Sequence, residues 1–89
     1  MTVLMHHRVP GHDEEEYDKI LASVGELLAA ADGFHAHCGM VDEAGVITAV
    51  EVWDSAEDHN RWYDVHIRPH VAPDAPPPGF ADILGTLTR

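Results

Sequence analysis

His59, Tyr63, His66 and His70 follow one another at steps of four, three and four. On a helix that spacing gathers them on one face, with Trp62 beside them. A core-facing helix would carry Leu or Ile at such positions. Imidazoles and a phenol instead combine a flat body with a polar tip, which suits the wall of a polar pocket. Imidazole takes or gives a proton near neutrality, and a phenol orients or donates, so the chemistry on offer is general acid–base catalysis. His66, in the middle of the stripe, is the principal acid/base candidate and Tyr63 its partner. His59, Trp62 and His70 are candidates for substrate contact. The same pattern also fits a helix face half in solvent.

Further candidates lie on strand-like stretches. Glu51 is a carboxylate in an otherwise apolar run, either facing outward or serving as a pocket acid. Trp53 and Trp62 can stack on an aromatic ligand or simply pack. His6 and His7 stand on opposite faces of the first strand-like stretch, and one of them is expected to help position the substrate. His35 and His37 alternate, about 7 Å apart along a strand. With His6 or His7 they would suit a metal, but no cysteine or carboxylate motif completes a set, so packing or interface roles are favoured and no metal is expected. Cys38 alternates with Phe34, Ala36 and Met40, which reads as inert core packing.

The elements that must position these residues are legible in order. Thr2 to Val9 alternates as a strand, ended by Pro10-Gly11. Asp13 to Ala31 is a helix. Asp13 caps it, Glu16 stands at the capping-box position, and Tyr17, Ile20, Leu21, Val24, Leu27, Leu28 and Ala31 form its apolar stripe. Gly25 inside it costs about 1 kcal/mol against Ala, which close approach to a sheet would explain. Gly33 is placed for a left-handed C-cap. Phe34 to Val41 and Val46 to Trp53 are strands joined by the hairpin grammar of Asp42-Glu43-Ala44-Gly45. Ser55 caps a second helix, whose continuation to His70 depends on Pro69. The proline-rich APDAPPPG, residues 72–79, is a stiff crossing loop able to cover a pocket, and Phe80 to Leu87 is the last strand.

The expected fold is therefore α+β: a single domain, 1–89, of order β-α-β-β-α-β. This is the ferredoxin-like arrangement of a four-stranded antiparallel sheet with both helices on one face. The other face is left bare and apolar, and a second copy, sheet to sheet, is its simplest cover. A homodimer would also compensate for the small core of so short a chain.

Composition limits the partners. The formal charge is −11, from 16 acidic and 5 basic residues. Nucleic acid needs clustered Lys and Arg, so it is not expected, and an anionic membrane is disfavoured for the same reason. No apolar run reaches the ~18 residues of a membrane span, and the start lacks a signal-like core. One cysteine excludes an intrachain disulfide and fits a cytoplasmic location. No phosphate loop or dinucleotide fingerprint is present, so no such cofactor is expected.

The element order, the strand end VEVWDS and the helix SAEDHNRW resemble the dimeric α/β-barrel superfamily, nearest its antibiotic-biosynthesis monooxygenase-like (ABM-like) branch. The resemblance spans nearly the whole chain. It implies a sheet-to-sheet dimer with a pocket between sheet and helices in each subunit. It also implies one of three activities: cofactor-free oxygenation, polyketide cyclisation or haem degradation. Haem-degrading members carry an Asn on the first strand, a Trp on the second helix and a ligating His further along that helix. Here Trp62 matches, His7 stands at the Asn, and the ligand position falls near Ala72, with His70 two residues early. His-dependent cyclases are similar in pairing a strand-one histidine, here His6 or His7, with a segment like HIRPH at 66–70. The resulting expectation is a cofactor-independent enzyme acting on an aromatic or polyketide-like small metabolite, cyclase or monooxygenase. His66, Tyr63 and His7 would be catalytic, and His6, His59, Trp62, His70, Trp53 and Glu51 would contact substrate. The alternatives are a haem- or metal-binding protein of the same fold and a non-catalytic ligand-binding domain.

Overall fold

Seven strand residues, Val3–Val9, form β1, and their alternation decides which side chains reach the core. Val3, Met5 and His7 are buried, whereas His6 and Arg8 are exposed. The computed structural model describes residues 2–87. After β1 come α1 (Glu14–Ala29), β2 (Phe34–Val41), β3 (Ile47–Trp53), α2 (Ala56–His66) and β4 (Gly79–Asp82), with a 3₁₀ turn over Arg68–His70. The sheet order is β2-β3-β1-β4, and every pair is antiparallel. This is the expected β-α-β-β-α-β arrangement.

Local chemistry sets the helix starts. The Asp13 side chain accepts from the Glu16 N–H at 2.8 Å, and the Ser55 hydroxyl from the Asp58 N–H at 3.1 Å. At the hairpin, one Asp42 oxygen accepts from the Ala44 and Val46 N–H groups at 2.9 and 3.0 Å. The Val46 bond, with Arg8 nearby, lowers the Asp42 pKa despite some desolvation. Gly45 closes this turn with φ +80, a backbone conformation that L side chains rarely adopt.

Five local expectations are corrected. Helix α1 ends at Ala29 with Ala30 as its cap, so Gly33, at φ +86, is a turn residue further on rather than the C-cap. A Cβ at Gly25 would meet nothing within 4 Å, so that glycine does not serve close packing. Strand β4 ends at Asp82, and Leu84 and Leu87 are almost wholly exposed beyond it. Helix α2 stops at His66: the turn that follows holds Pro69, which has no N–H to continue the ladder. Finally, the register of β2 slips between Phe34 and Ala36. Such an irregularity moves residues before it to the other face. Phe34 therefore joins the helix-side core, while Ala36, Cys38 and Met40 are exposed on the opposite face, and Cys38 is not a core residue.

The core beneath the helices is Val3, Met5, Leu28 and Trp53, with Ala31, Phe34, Ala49, Trp62 and Phe80 packed against it. The bare face is assembled by register. Ala36, Val52, Leu4 and Ala81 form one row across the four strands, and Cys38, Val50, His6 and Gly79 the next.

Candidate active site

Helices α1 and α2 lie over one face of the sheet, and between them and the strands is a cavity of about 190 Å³. Its apolar wall comes mainly from α1 (Ile20, Leu21, Val24) with Met5, Ile47 and Ala49 from the strands. That volume exceeds the ~150 Å³ of an apolar cavity that takes up benzene, and lies below the ~300 Å³ at which drug-sized pockets begin. Rings with polar tips enter this wall from four elements: His7 from β1, Tyr17 from α1, His37 from β2, and His59, Tyr63 and His66 from α2.

The polar groups form a connected chain. Glu51 is buried, its side chain on the helix side of β3. The Trp53 indole N–H donates to one of its oxygens at 2.9 Å, and His37 Nδ1 lies 2.7 Å from the other. The Tyr17 hydroxyl lies 2.6 Å from His37 Nε2. His59 Nε2 is 3.9 Å from the Trp53-facing oxygen of Glu51, and His59 Nδ1 meets the Asn60 side-chain oxygen at 2.9 Å. Burial pushes the Tyr17 pKa up, helped by the negative charge of Cys38, Asp18 and Glu51 when ionised, so this phenol keeps its proton at neutral pH. Burial also raises the Tyr63 pKa, against the lowering effect of Arg68. In His59 burial lowers the pKa and outweighs the raising contacts of Asn60 and Glu51.

Most of the residues singled out from sequence are brought together. His7, Glu51, His59, Trp62, Tyr63, His66 and His70 all line the cavity. His59 and Tyr63 stack with ring centroids 5.3 Å apart, and His7 meets Tyr63 edge-on at 5.8 Å. The Trp62 indole nitrogen is buried and has no hydrogen-bond partner among the described residues. His66 is half-buried and tilted over Trp62 at 5.1 Å, and His70, exposed on the 3₁₀ turn, marks the cavity edge. His7 Nε2 donates to the Pro76 carbonyl at 2.8 Å, which ties the proline-rich loop to β1.

Two residues lie elsewhere. His6 is on the far face of the sheet, because successive strand residues point to opposite sides, and its ring sits over Gly79. Trp53 is fully buried in the core, packed against Phe34, His59 and Trp62, and does not line the cavity. His35 and His37 are separated in role. His35 pairs with Asp54 at 2.6 Å on the exposed surface, while His37 faces the helices. Among the described residues no group of three or more His, Cys, Asp or Glu could hold a metal ion.

Tyr17 and His37 were not read from sequence as a pair. Tyr17 belonged to an apolar stripe, and His37 was tied to His35 by simple alternation. The usable signal was Gly39, two residues after His37, where a missing side chain makes room for a ring.

No protein-family model and no curated protein matches the chain. Solved structures do. A mutant of SnoaB, a cofactor-independent oxygenase from Streptomyces nogalater, superposes with a TM-score of 0.70 at 18% identity, covering 99% of this chain and 98% of that one. A haem-free haem-degrading protein from Mycobacterium tuberculosis gives 0.69 at 18% identity, covering 99% and 100%. A Bordetella bronchiseptica protein described as an antibiotic biosynthesis monooxygenase gives 0.67 at 14% identity, covering 93% and 97%. At these identities the likeness establishes architecture over the full length: the chain has the antibiotic-biosynthesis monooxygenase fold.

Proposed function

We propose that this protein is a cofactor-independent enzyme acting on an aromatic or polyketide-like small metabolite, as a cyclase or monooxygenase, through histidine acid–base chemistry. The cavity is the observation that supports this reading most. An aliphatic wall sized for one or two rings faces five buried or half-buried imidazoles and two phenols. Apolar pockets with a few convergent polar groups are the ordinary form of a small-molecule site. His66, half-buried near the cavity edge, exchanges protons between ligand and solvent. His7 and Tyr63 hold the ligand, and Trp62 offers it an unused N–H. The S. nogalater oxygenase with the same fold adds an analogy at the level of architecture only.

Haem fits these residues poorly. The cavity lies below the ~300 Å³ range of larger ligand sites, and a porphyrin's carboxylates would need cationic partners. Among the described residues no lysine or arginine lines the cavity. We further propose that the working unit is a homodimer closed over the bare sheet face, where Leu4, Val50 and Val52 are only half-buried in the single chain.

The test is conversion of hydroxylated monocyclic and bicyclic aromatics under air, followed by absorbance and mass. Wild type converts at least one of them. His66→Ala lowers turnover by about 10²–10⁴ without moving the melting temperature, and Tyr63→Phe raises KM. Binding without any conversion would make the protein a ligand-binding domain. An unchanged rate in His66→Ala would remove that histidine from the chemistry.

A further inference from the structure

Glu51, His37 and Tyr17 come from three different elements and meet in a line that ends at the cavity. The direction of their hydrogen bonds follows from the donors. An indole N–H can only donate, so the Glu51 oxygen facing Trp53 is an acceptor. A carboxylate only accepts, so across the 2.7 Å contact His37 Nδ1–H donates to Glu51. Nε2 of the neutral ring then carries a lone pair, and the Tyr17 hydroxyl donates into it at 2.6 Å. With its own proton committed, the Tyr17 oxygen presents only lone pairs to the cavity it lines. A base fixed in its tautomer by a buried carboxylate is the arrangement that makes a hydroxyl a proton acceptor.

Gly39 makes this line possible. It sits on β2 opposite Ala49, and a Cβ built there would run into the hydroxyl and ring carbons of Tyr17. Its φ is outside the left-handed region, so the glycine is demanded by space alone. Charge narrows the ligand further. The carboxylate of Glu51 is buried, and no lysine or arginine among the described residues lines the cavity. A carboxylate or phosphate inside it, ionised before it enters, would be desolvated without a lysine or arginine to pair with. An ammonium would find both Glu51 oxygens already holding N–H donors.

Building on the cavity reading above, we propose that Tyr17, His37 and Glu51 form its proton-accepting relay, positioned by Gly39, and that the ligand is an uncharged ring compound presenting a phenol or enol O–H. The ligand O–H bond breaks as its proton passes to the Tyr17 oxygen. The former Tyr17 proton moves to His37 Nε2. The ligand is left as phenolate or enolate, Tyr17 is again neutral, and the imidazolium stands against the Glu51 carboxylate. Charge and protons balance, and no further reactant is needed for this step.

The test uses three probes of one size: 4-nitrophenol, whose anion absorbs visible light, its methyl ether 4-nitroanisole, and 4-nitrobenzoate. Wild type binds the first two and excludes the benzoate. Bound nitrophenol ionises at least about one pH unit lower than free nitrophenol, a tenfold change in its ionisation ratio. Tyr17→Phe, Gly39→Ala and Glu51→Gln still bind nitroanisole but lose this shift. Gly39→Ala keeps every donor and acceptor, and Tyr17→Phe keeps the ring, so these two carry the test if the buried Glu51→Gln chain fails to fold. Nitroanisole binding with an unshifted nitrophenol in wild type overturns the relay and leaves the cavity reading standing. So does a shift that persists in both Tyr17→Phe and Gly39→Ala. Tight binding of nitrobenzoate overturns the ligand class. Failure of all three probes to bind overturns both the relay and the cavity reading.

Discussion

His59 has a cost that the rest of the molecule must offset. It is almost wholly buried, and burial holds its pKa below the ordinary value, so the folded protein keeps this ring neutral. The unfolded chain takes up a proton there near pH ~6.5. A group whose folded pKa is depressed contributes stability above its unfolded pKa and loses it as pH falls through the interval between the two values. Melting temperature should therefore drop as pH falls below about 7. His59→Phe should flatten part of that limb, which parallel thermal melts of the two proteins will show. The position of this residue on a functional face was legible from its spacing with Tyr63 and His66. Its depth was not, because periodicity gives a direction around the helix and not how far Trp53 and Phe80 close over it.

The elements were legible from capping and alternation, and alternation failed where one backbone detail intervened. Strand β2 reads as a simple alternation. The slip between Phe34 and Ala36 reverses the side on which Phe34 stands and sends Cys38 outward. Nothing in FHAHCGMV marks that slip. The continuation of α2 to His70, by contrast, was readable as a condition on Pro69, and the helix stops short of it at His66, with a separate 3₁₀ turn at Arg68–His70. Gly25 is the clearest test at this scale. It lies inside α1, and an added Cβ there would touch nothing within 4 Å. Gly25→Ala should stabilise the protein by about 0.5–1 kcal/mol, measured by urea unfolding, through the smaller backbone entropy of the unfolded chain. Ser55→Ala should act in the opposite sense, costing about 1 kcal/mol by leaving the Asp58 N–H without its side-chain acceptor.

At the scale of the whole molecule, a sheet with helices on one side leaves its other side to be covered. Rows such as Ala36-Val52-Leu4-Ala81 put four apolar residues across the strands, and among the described residues Ala36 and Ala81 stay exposed and Leu4 and Val52 only half-buried. Sedimentation should show a dimer at micromolar concentration. Val50→Asp, a charge on this face of the central strand, should shift it to monomer while the helix-side cavity stays intact. A stable wild-type monomer across that range would count against the sheet-to-sheet assembly. The bare face follows from element order alone, which is why it was readable without coordinates. The Tyr17–His37–Glu51 line was not, since it joins positions far apart in sequence through a strand register that no local pattern encodes.

The indole of Trp53 gives the protein an optical reporter of its own. Its N–H donates to the same carboxylate that orients His37, and the indole itself is fully buried. Indole emission depends on the charge held near the ring, so a proton gained by His37 beside Glu51 should alter its wavelength or yield. Trp62 lies 6.3 Å away, centroid to centroid, and would mix its signal with that of Trp53. In a Trp62→Phe background the remaining tryptophan reads one event, the arrival or departure of a proton beside Glu51. Stopped-flow fluorescence after mixing with a phenol could then time that event directly, without any label.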